Sequence, residues 1–157
     1  VTVEFEHRTR IEAPVEVVFD LSPSIDAHLE SMSASGERAV DGVTTGQIGL
    51  GEQVTWKATH FGVPFTMTSK VTELERPNRF VDEQVKGPFR RFHHTHEFAR
   101  DRRVTVMVDR VRFDAPLGPV GDLVEHLVLG RYLKKLIVKR SEYLKAQAES
   151  DDRPRQL

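Results

Sequence analysis

Histidines and carboxylates at strand spacing are the residues of this chain best suited to chemistry. His94 and His96 stand two apart, so on a strand both imidazoles share one face, about 6.6 to 7 Å apart. If Asp101 and Arg102 are the central residues of a two-residue turn, Arg100 pairs with Arg103. Counting back along the antiparallel pair then sets Phe98 opposite Thr105, His96 opposite Met107, His94 opposite Asp109 and Phe92 opposite Val111. Cross-strand Cβ atoms lie roughly 4.5 to 5.5 Å apart, close enough for the Asp109 carboxylate to accept a ring N–H of His94. Asp109 would then fix the tautomer of His94 and raise its pKa. The second nitrogen would be left to exchange a proton with a bound carbonyl or hydroxyl compound. The plainer reading is a satisfied buried pair that holds two strands in register, and the sequence leaves both open.

His7 and His60 also fall on faces expected to point inward. His94 and His96 could reach one metal ion, with His60 as a third ligand, but nothing in the sequence fixes a carboxylate ligand beside them. They are therefore read as a polar pocket floor, with no metal and no cofactor. Either Asp82 with Gln84, or Val81 with Glu83 and Val85, faces inward, depending on the Gly87-Pro88 turn. Trp56, Phe65, Met67, Phe92, Phe98, Met107 and Phe113 form the expected apolar lining, with Tyr132 and Tyr143 as weaker candidates. No Walker loop, dinucleotide fingerprint, Gly-x-Ser-x-Gly elbow or His-Glu-x-x-His motif is present.

These side chains need a sheet to carry them. Val3, Phe5, His7, Thr9 and Ile11 alternate with polar residues, the period of a half-buried strand. Ala13-Pro14 opens a short helix through Val17, Val18 and Leu21, and a second follows over about 24–29. The glycine-rich stretch 31–51 offers one short strand, about 37–40, and room for a flap. Next come two strands joined at Gly62-Val63, read as a type II′ turn that pairs His60 with Phe65, Ala58 with Met67 and Trp56 with Ser69. Strands over about 79–86, 89–99 and 103–113 continue the meander. The block 115–119 ends it, and Val120, Leu123, Val124, Leu127, Leu133, Leu136, Ile137 and Leu144 mark a helix of about 25 residues. Lys134, Lys135, Lys139 and Arg140 are placed mostly off that stripe.

The chain has 157 residues, 38% hydrophobic and 30% charged, which suits one domain with one core. A net charge of -1 without like-charge blocks argues against a dedicated nucleic-acid or anionic-membrane binder. With no Cys, disulfides, thiolate nucleophiles and thiolate metal sites are excluded. No apolar run approaches the roughly 20 residues of a membrane span, and nothing at the N-terminus reads as a leader, so a cytoplasmic protein is expected.

Several local marks occur in a fixed order. Ile11-Glu12-Ala13-Pro14-Val15-Glu16-Val17-Val18-Phe19-Asp20 follows the first strand, and Gly87-Pro88-Phe89 precedes His94-Thr95-His96-Glu97-Phe98. Asp109-Arg110-Val111-Arg112-Phe113 leads to Pro116-Leu117-Gly118, and the terminal helix carries Arg140. Together with the element order, this resembles the helix-grip fold of the START/SRPBCC superfamily, polyketide cyclase/dehydrase-like members in particular, over about 3–146. The resemblance implies an α+β domain, a curved antiparallel β-sheet wrapped around a long C-terminal α-helix, with a largely apolar cavity between them. It does not select one reaction.

The expected organisation is a ligand-binding domain over 1–148 and a disordered tail over 149–157. The expected function is binding of a hydrophobic or aromatic, lipid- or polyketide-like small molecule. Trp56, His60, Phe65, Met67, Phe92, His96, Phe98 and Met107 are its candidate ligand contacts. The first alternative is a cofactor-free polyketide cyclase or dehydratase with His94 and Asp109 as the proton-transfer pair. The second is a regulatory protein-interaction domain. The partner is expected to be a small hydrophobic ligand, with no nucleic acid and no membrane span, and the oligomeric state is left open, a homodimer included.

Overall fold

The structure, a computed structural model, describes residues 2–114 and 122–151. The alternation at the start of the chain forms β1 (Thr2–Ile11), and two short helices follow, α1 (Val15–Leu21) and α2 (Ile25–Ser31). Ser24 caps α2 by accepting a hydrogen bond from the Ala27 N–H, one of the orphan donors at a helix start. β2 (Arg38–Gly42), β3 (Gln53–His60), β4 (Val63–Glu75), β5 (Arg79–Lys86), β6 (Arg91–Asp101) and β7 (Val104–Asp114) complete the strands, and α3 (Asp122–Asp151) ends the described chain.

The strands form one antiparallel sheet in the order β1-β7-β6-β5-β4-β3-β2. β1 closes onto β7, and every other neighbour is a neighbour in sequence. The curvature of the sheet has local causes in register shifts between Ala39 and Asp41 in β2, between Gln84 and Lys86 in β5 and between Val71 and Glu73 in β4, since bulges bend a strand and increase its twist.

Two apolar clusters seat α3 on this sheet. Leu144 and Ala148 pack with Ile11, Val18, Phe19, Phe80, Phe98 and Met107. Ile137, with Leu129 and Leu133, packs against Val111, Phe113, Phe89 and Phe92. Along α3 the inner face therefore reads Leu133, Ile137, Arg140, Leu144, Ala148, at helical spacing. Arg140 belongs to that stripe, not beside it as the sequence suggested. The helix runs to Asp151, three residues into the expected tail. The segment 115–119, the stripe residue Val120 and the tail beyond Asp151 lie outside the described residues, as do the side chains of the stripe residues Leu123, Val124 and Leu127.

Both hairpin registers differ from the expected ones by two residues. In β3–β4, His60 pairs with Val63, Ala58 with Phe65 and Trp56 with Met67. The turn residues are Phe61 and Gly62, both at positive φ (53° and 73°), as a type I′ turn requires. In β6–β7, Asp101 pairs with Val104, Phe98 with Met107, His96 with Asp109, His94 with Val111 and Phe92 with Phe113. Arg102 takes the positive φ of that turn (59°). Because the side-chain period is two, a shift of two keeps each residue on its expected face while changing its partner.

Candidate functional site

A cavity of about 580 Å³ lies between α3 and the inner faces of β3, β4, β5 and β6. Of the expected ligand contacts, Trp56, His60, Phe65, Met67, Phe92 and His96 line it, as does His94. Phe98 and Met107 do not. They are buried beneath the helices with Phe19 and Leu144, Met107 fully so, and Phe113 is likewise enclosed, packed with Val111, Ile137, Phe89 and Phe92. The reason is that α3, α1 and the β1/β7 edge meet there without a gap, so large side chains fill the core. Tyr143 is also away from the cavity, bonded to Glu30.

The polar wall of the cavity centres on Asp109, which is fully buried behind the lining. Its Oδ1 accepts a hydrogen bond from His94 Nε2 at 2.8 Å, and its Oδ2 accepts one from Ser141 Oγ of α3 at 3.1 Å. The same Oδ1 lies 3.4 Å from His96 Nδ1 and 3.6 Å from Arg140 Nη1. Arg140 Nη2 donates to the Ser22 carbonyl at 3.0 Å. The expected pair of His94 and Asp109 is thus present, but reached diagonally across the strands, since the residue directly opposite Asp109 is His96. A diagonal neighbour is within range of a long side chain.

Asp82 settles the orientation of β5. It lies opposite His94 in the ladder, lines the cavity and bonds His96 Nε2 through Oδ2 at 2.6 Å. Gln84 also faces in and clasps the backbone of Phe89, its Nε2 donating to the carbonyl and its Oε1 accepting from the N–H. The connection over 87–90 is longer than a two-residue loop, so the alternative with Val81, Glu83 and Val85 inward is excluded. The imidazoles of His94 and His96 stack with centroids 3.7 Å apart, and Phe80 stacks on the far face of His96 at 3.9 Å.

Burial and paired charges compete in the electrostatics of this wall. His94 is pushed down to about 4, chiefly by burial and then by the neighbouring His96, which together outweigh the pull of Asp109 and Asp82. The expectation that Asp109 raises this pKa is therefore corrected: desolvation wins, and His94 is neutral at pH 7. For Asp82, burial alone would raise the pKa, but the hydrogen bond from His96 and the charges around it bring the group down to about 2. Asp109 likewise lies well below the ordinary carboxylate range, because its own burial, which would raise the pKa, is overcome by the hydrogen bond from His94, the close ring of His96 and the charge of Arg140. With Nε2 donating to Asp109, the lone pair of neutral His94 is on Nδ1.

Two further polar pairs interrupt the apolar walls. His28 Nε2 meets Glu37 Oε1 at 2.6 Å, with the His28 ring 4.3 Å from that of Trp56. His60 Nδ1 meets Tyr132 Oη at 2.5 Å beside the exposed ring of Phe61. Sequence reading missed His28, Glu37, Phe80 and Arg140. For Arg140 the signal was available, as it sits on the apolar stripe between Ile137 and Leu144. His7 is half-buried opposite Asp109 on β1 and does not line the cavity.

A curved antiparallel sheet closed over one long helix around an internal cavity defines a helix-grip protein. Among solved structures, the chain is similar to the Zhui aromatase/cyclase from Streptomyces sp. R1128 (TM-score 0.78, 15% identity, 99% of each chain). It is also similar to TTHA0849 from Thermus thermophilus (TM-score 0.72, 19% identity, 93% of this chain and 99% of that one). A third is the di-domain ARO/CYC StfQ of the steffimycin biosynthetic pathway (TM-score 0.75, 16% identity, 96% of this chain and 52% of that one). No curated protein matches in sequence. Residues 2–149 match the family described as polyketide cyclase / dehydrase and lipid transport, and the chain belongs to that family. No helix among the described residues is long and apolar enough to cross a membrane.

Proposed function

We propose that this protein binds a hydrophobic, ring-bearing small molecule in its cavity. The molecule's apolar body would lie against Trp56, Phe65, Met67 and Phe92, and a carbonyl or hydroxyl group would meet Asp82 and His94. The observation that carries this reading is a space of about 580 Å³ lined mainly by apolar side chains, with the hydrogen-bonded pairs His28–Glu37, His60–Tyr132 and His96–Asp82 at fixed points of its wall. Sites for small organic molecules have this size and character. Trp56 is the only tryptophan and lines the cavity, so its fluorescence reports occupancy. A lipophilic aromatic probe is expected to quench it saturably at one equivalent, and Met67→Trp, which fills the cavity, is expected to abolish uptake of the probe's own signal. Absence of uptake, or uptake untouched by Met67→Trp, would overturn the reading in favour of a protein-interaction role.

A second reading, proton transfer during ring closure, is favoured by the His94–Asp109 bond at 2.8 Å on the cavity wall. Against it stands the depressed pKa of His94, which makes Nδ1 a weak base at neutral pH. A linear poly-β-carbonyl substrate distinguishes the two. A cyclase forms product at a rate that falls as pH drops toward about 4 and vanishes in His94→Ala. A carrier shows no turnover, and the same variant changes probe affinity only a few fold.

A further inference from the structure

We propose that Asp82, His94 and His96 form a binding site for one first-row divalent metal ion on the cavity wall. Among the described residues, these three are grouped so that one ligand-type atom from each lies within 4.8 Å of the others. They come from two adjacent strands: Asp82 faces His94 across the β5–β6 ladder, and His96, two residues on, shares the face. Backbone pairing rather than loop conformation therefore fixes their spacing.

Asp109 accounts for the second nitrogen of each ring. His94 Nε2 is 2.8 Å from Asp109 Oδ1, which leaves Nδ1 as the donor to a metal. His96 Nδ1 lies 3.4 Å from the same oxygen and has no hydrogen-bond partner among the described residues, which leaves Nε2, already beside Asp82 Oδ2. The bond from His94 to Asp109 is the outer arrangement that orients a metal-binding histidine and strengthens it as a ligand, and the same carboxylate stands 3.4 Å behind His96, unbonded.

Charge points the same way. Asp82 and Asp109 bring two negative charges, and Arg140 brings one positive charge that leans on Asp109 and is anchored to the Ser22 carbonyl. Arg140 is engaged by Asp109, and the one ionic partner of Asp82 among the described residues is the ring of His96. A cation shared by Asp82 and the two rings would offset the carboxylate's charge. Two nitrogens and one oxygen suit Zn²⁺, Fe²⁺, Co²⁺ or Ni²⁺, and three protein ligands leave at least one position toward the cavity, as in open metal sites.

Binding requires rearrangement. Metal–ligand distances of about 2.0 to 2.1 Å in a tetrahedron place donor atoms roughly 3.3 Å apart. The 2.6 Å contact of Asp82 with His96 must open, the proton that His96 Nε2 holds there must pass to Nδ1, which faces Asp109, and the stacked rings, now 24° from parallel, must tilt so that their lone pairs converge. A metal held in this way requires no organic ligand in the cavity.

The test uses the full chain stripped of metal with a chelator. Calorimetric titration with Zn²⁺ is expected to show one equivalent bound in the micromolar range or tighter, and Co²⁺ to give the visible bands of low-coordinate cobalt. Asp82→Asn is expected to weaken binding by about 100-fold, and Asp109→Asn by roughly 10- to 100-fold through the rings it orients. His93→Gln, on the outer face of β6 opposite Glu83, is expected to leave it unchanged. Should the aspartate variants fold poorly, imidazole NMR signals of the unmodified protein serve instead, with those of His94 and His96 shifting at one equivalent of Zn²⁺. No binding at millimolar Zn²⁺, full affinity in a folded Asp82→Asn, or shifts confined to other histidines would overturn the proposal. The aromatic probe, applied to the same stripped samples, separates the readings: uptake without metal binding removes the metal site alone, and metal binding without uptake removes the small-molecule reading alone.

Discussion

His94 and His60 face the same cavity from the same sheet, and each has one hydrogen-bonded partner, yet they sit in opposite physical situations. His94 is almost wholly enclosed, its partner is a buried carboxylate, and a second ring and a guanidinium stand close by. His60 is half-buried, its partner is the neutral phenol of Tyr132, and the neighbouring Phe61 ring is open to solvent. At the deep end, charges taken out of water must neutralise one another, so every member depends on the rest. Toward Phe61 no charge is confined, and water can replace a lost bond.

The contrast is sharpest on removal of the partner. Asp109→Ala leaves Arg140 and His94 buried without their counter-group, and an expected loss of about 3 to 5 kcal/mol should appear in urea unfolding. Were the loss below about 1 kcal/mol, the deep cluster would not be a coupled unit.

Acid is the next lever, applied to metal-free protein. The folded pKa of His94, about 4, is below its ordinary 6.5, and that of Asp82, about 2, is below its ordinary 3.8. In both cases the unfolded chain binds protons first, so stability falls as pH falls. The contribution of His94 is complete above pH 6.5 and lost on descending through about 4; that of Asp82 is complete above 3.8 and lost on descending through about 2. The urea midpoint is expected to drop from pH 6.5 to 4 in the unmodified protein and to drop less in His94→Phe. A flat midpoint over that interval would contradict the placement of His94.

Tyr132→Phe should do least. It removes a single, partly solvated hydrogen bond, worth about 1 kcal/mol or less in the same unfolding experiment.

The sequence carried the faces of the strands further than their partners. Alternation in β1 and the spacing of His94 and His96 show which side chains point inward, because that depends only on parity. Partners depend on which two residues make a turn. Phe61 and Arg102 adopt left-handed conformations that few residues other than glycine, asparagine or aspartate announce. Asp82 was ambiguous for a related reason: the length of the 87–90 connection, not any residue in β5, sets its direction. The apolar residues Phe98 and Met107 looked no different in sequence from Phe65 and Met67. Whether such a side chain fills a core or borders a cavity is decided by where α3 rests on the sheet, a property no single strand encodes.

Asp109 touches β6 through His94 and α3 through Ser141 and Arg140, and Arg140 in turn holds the end of α1 through Ser22. Sliding the long helix by one turn, about 5.4 Å, would still find greasy surface to lie on but would strand this ionic knot. The seat of the long rod, and with it the depth of the hollow, is therefore tied to a lock of opposite charges more than to the oily surfaces around it.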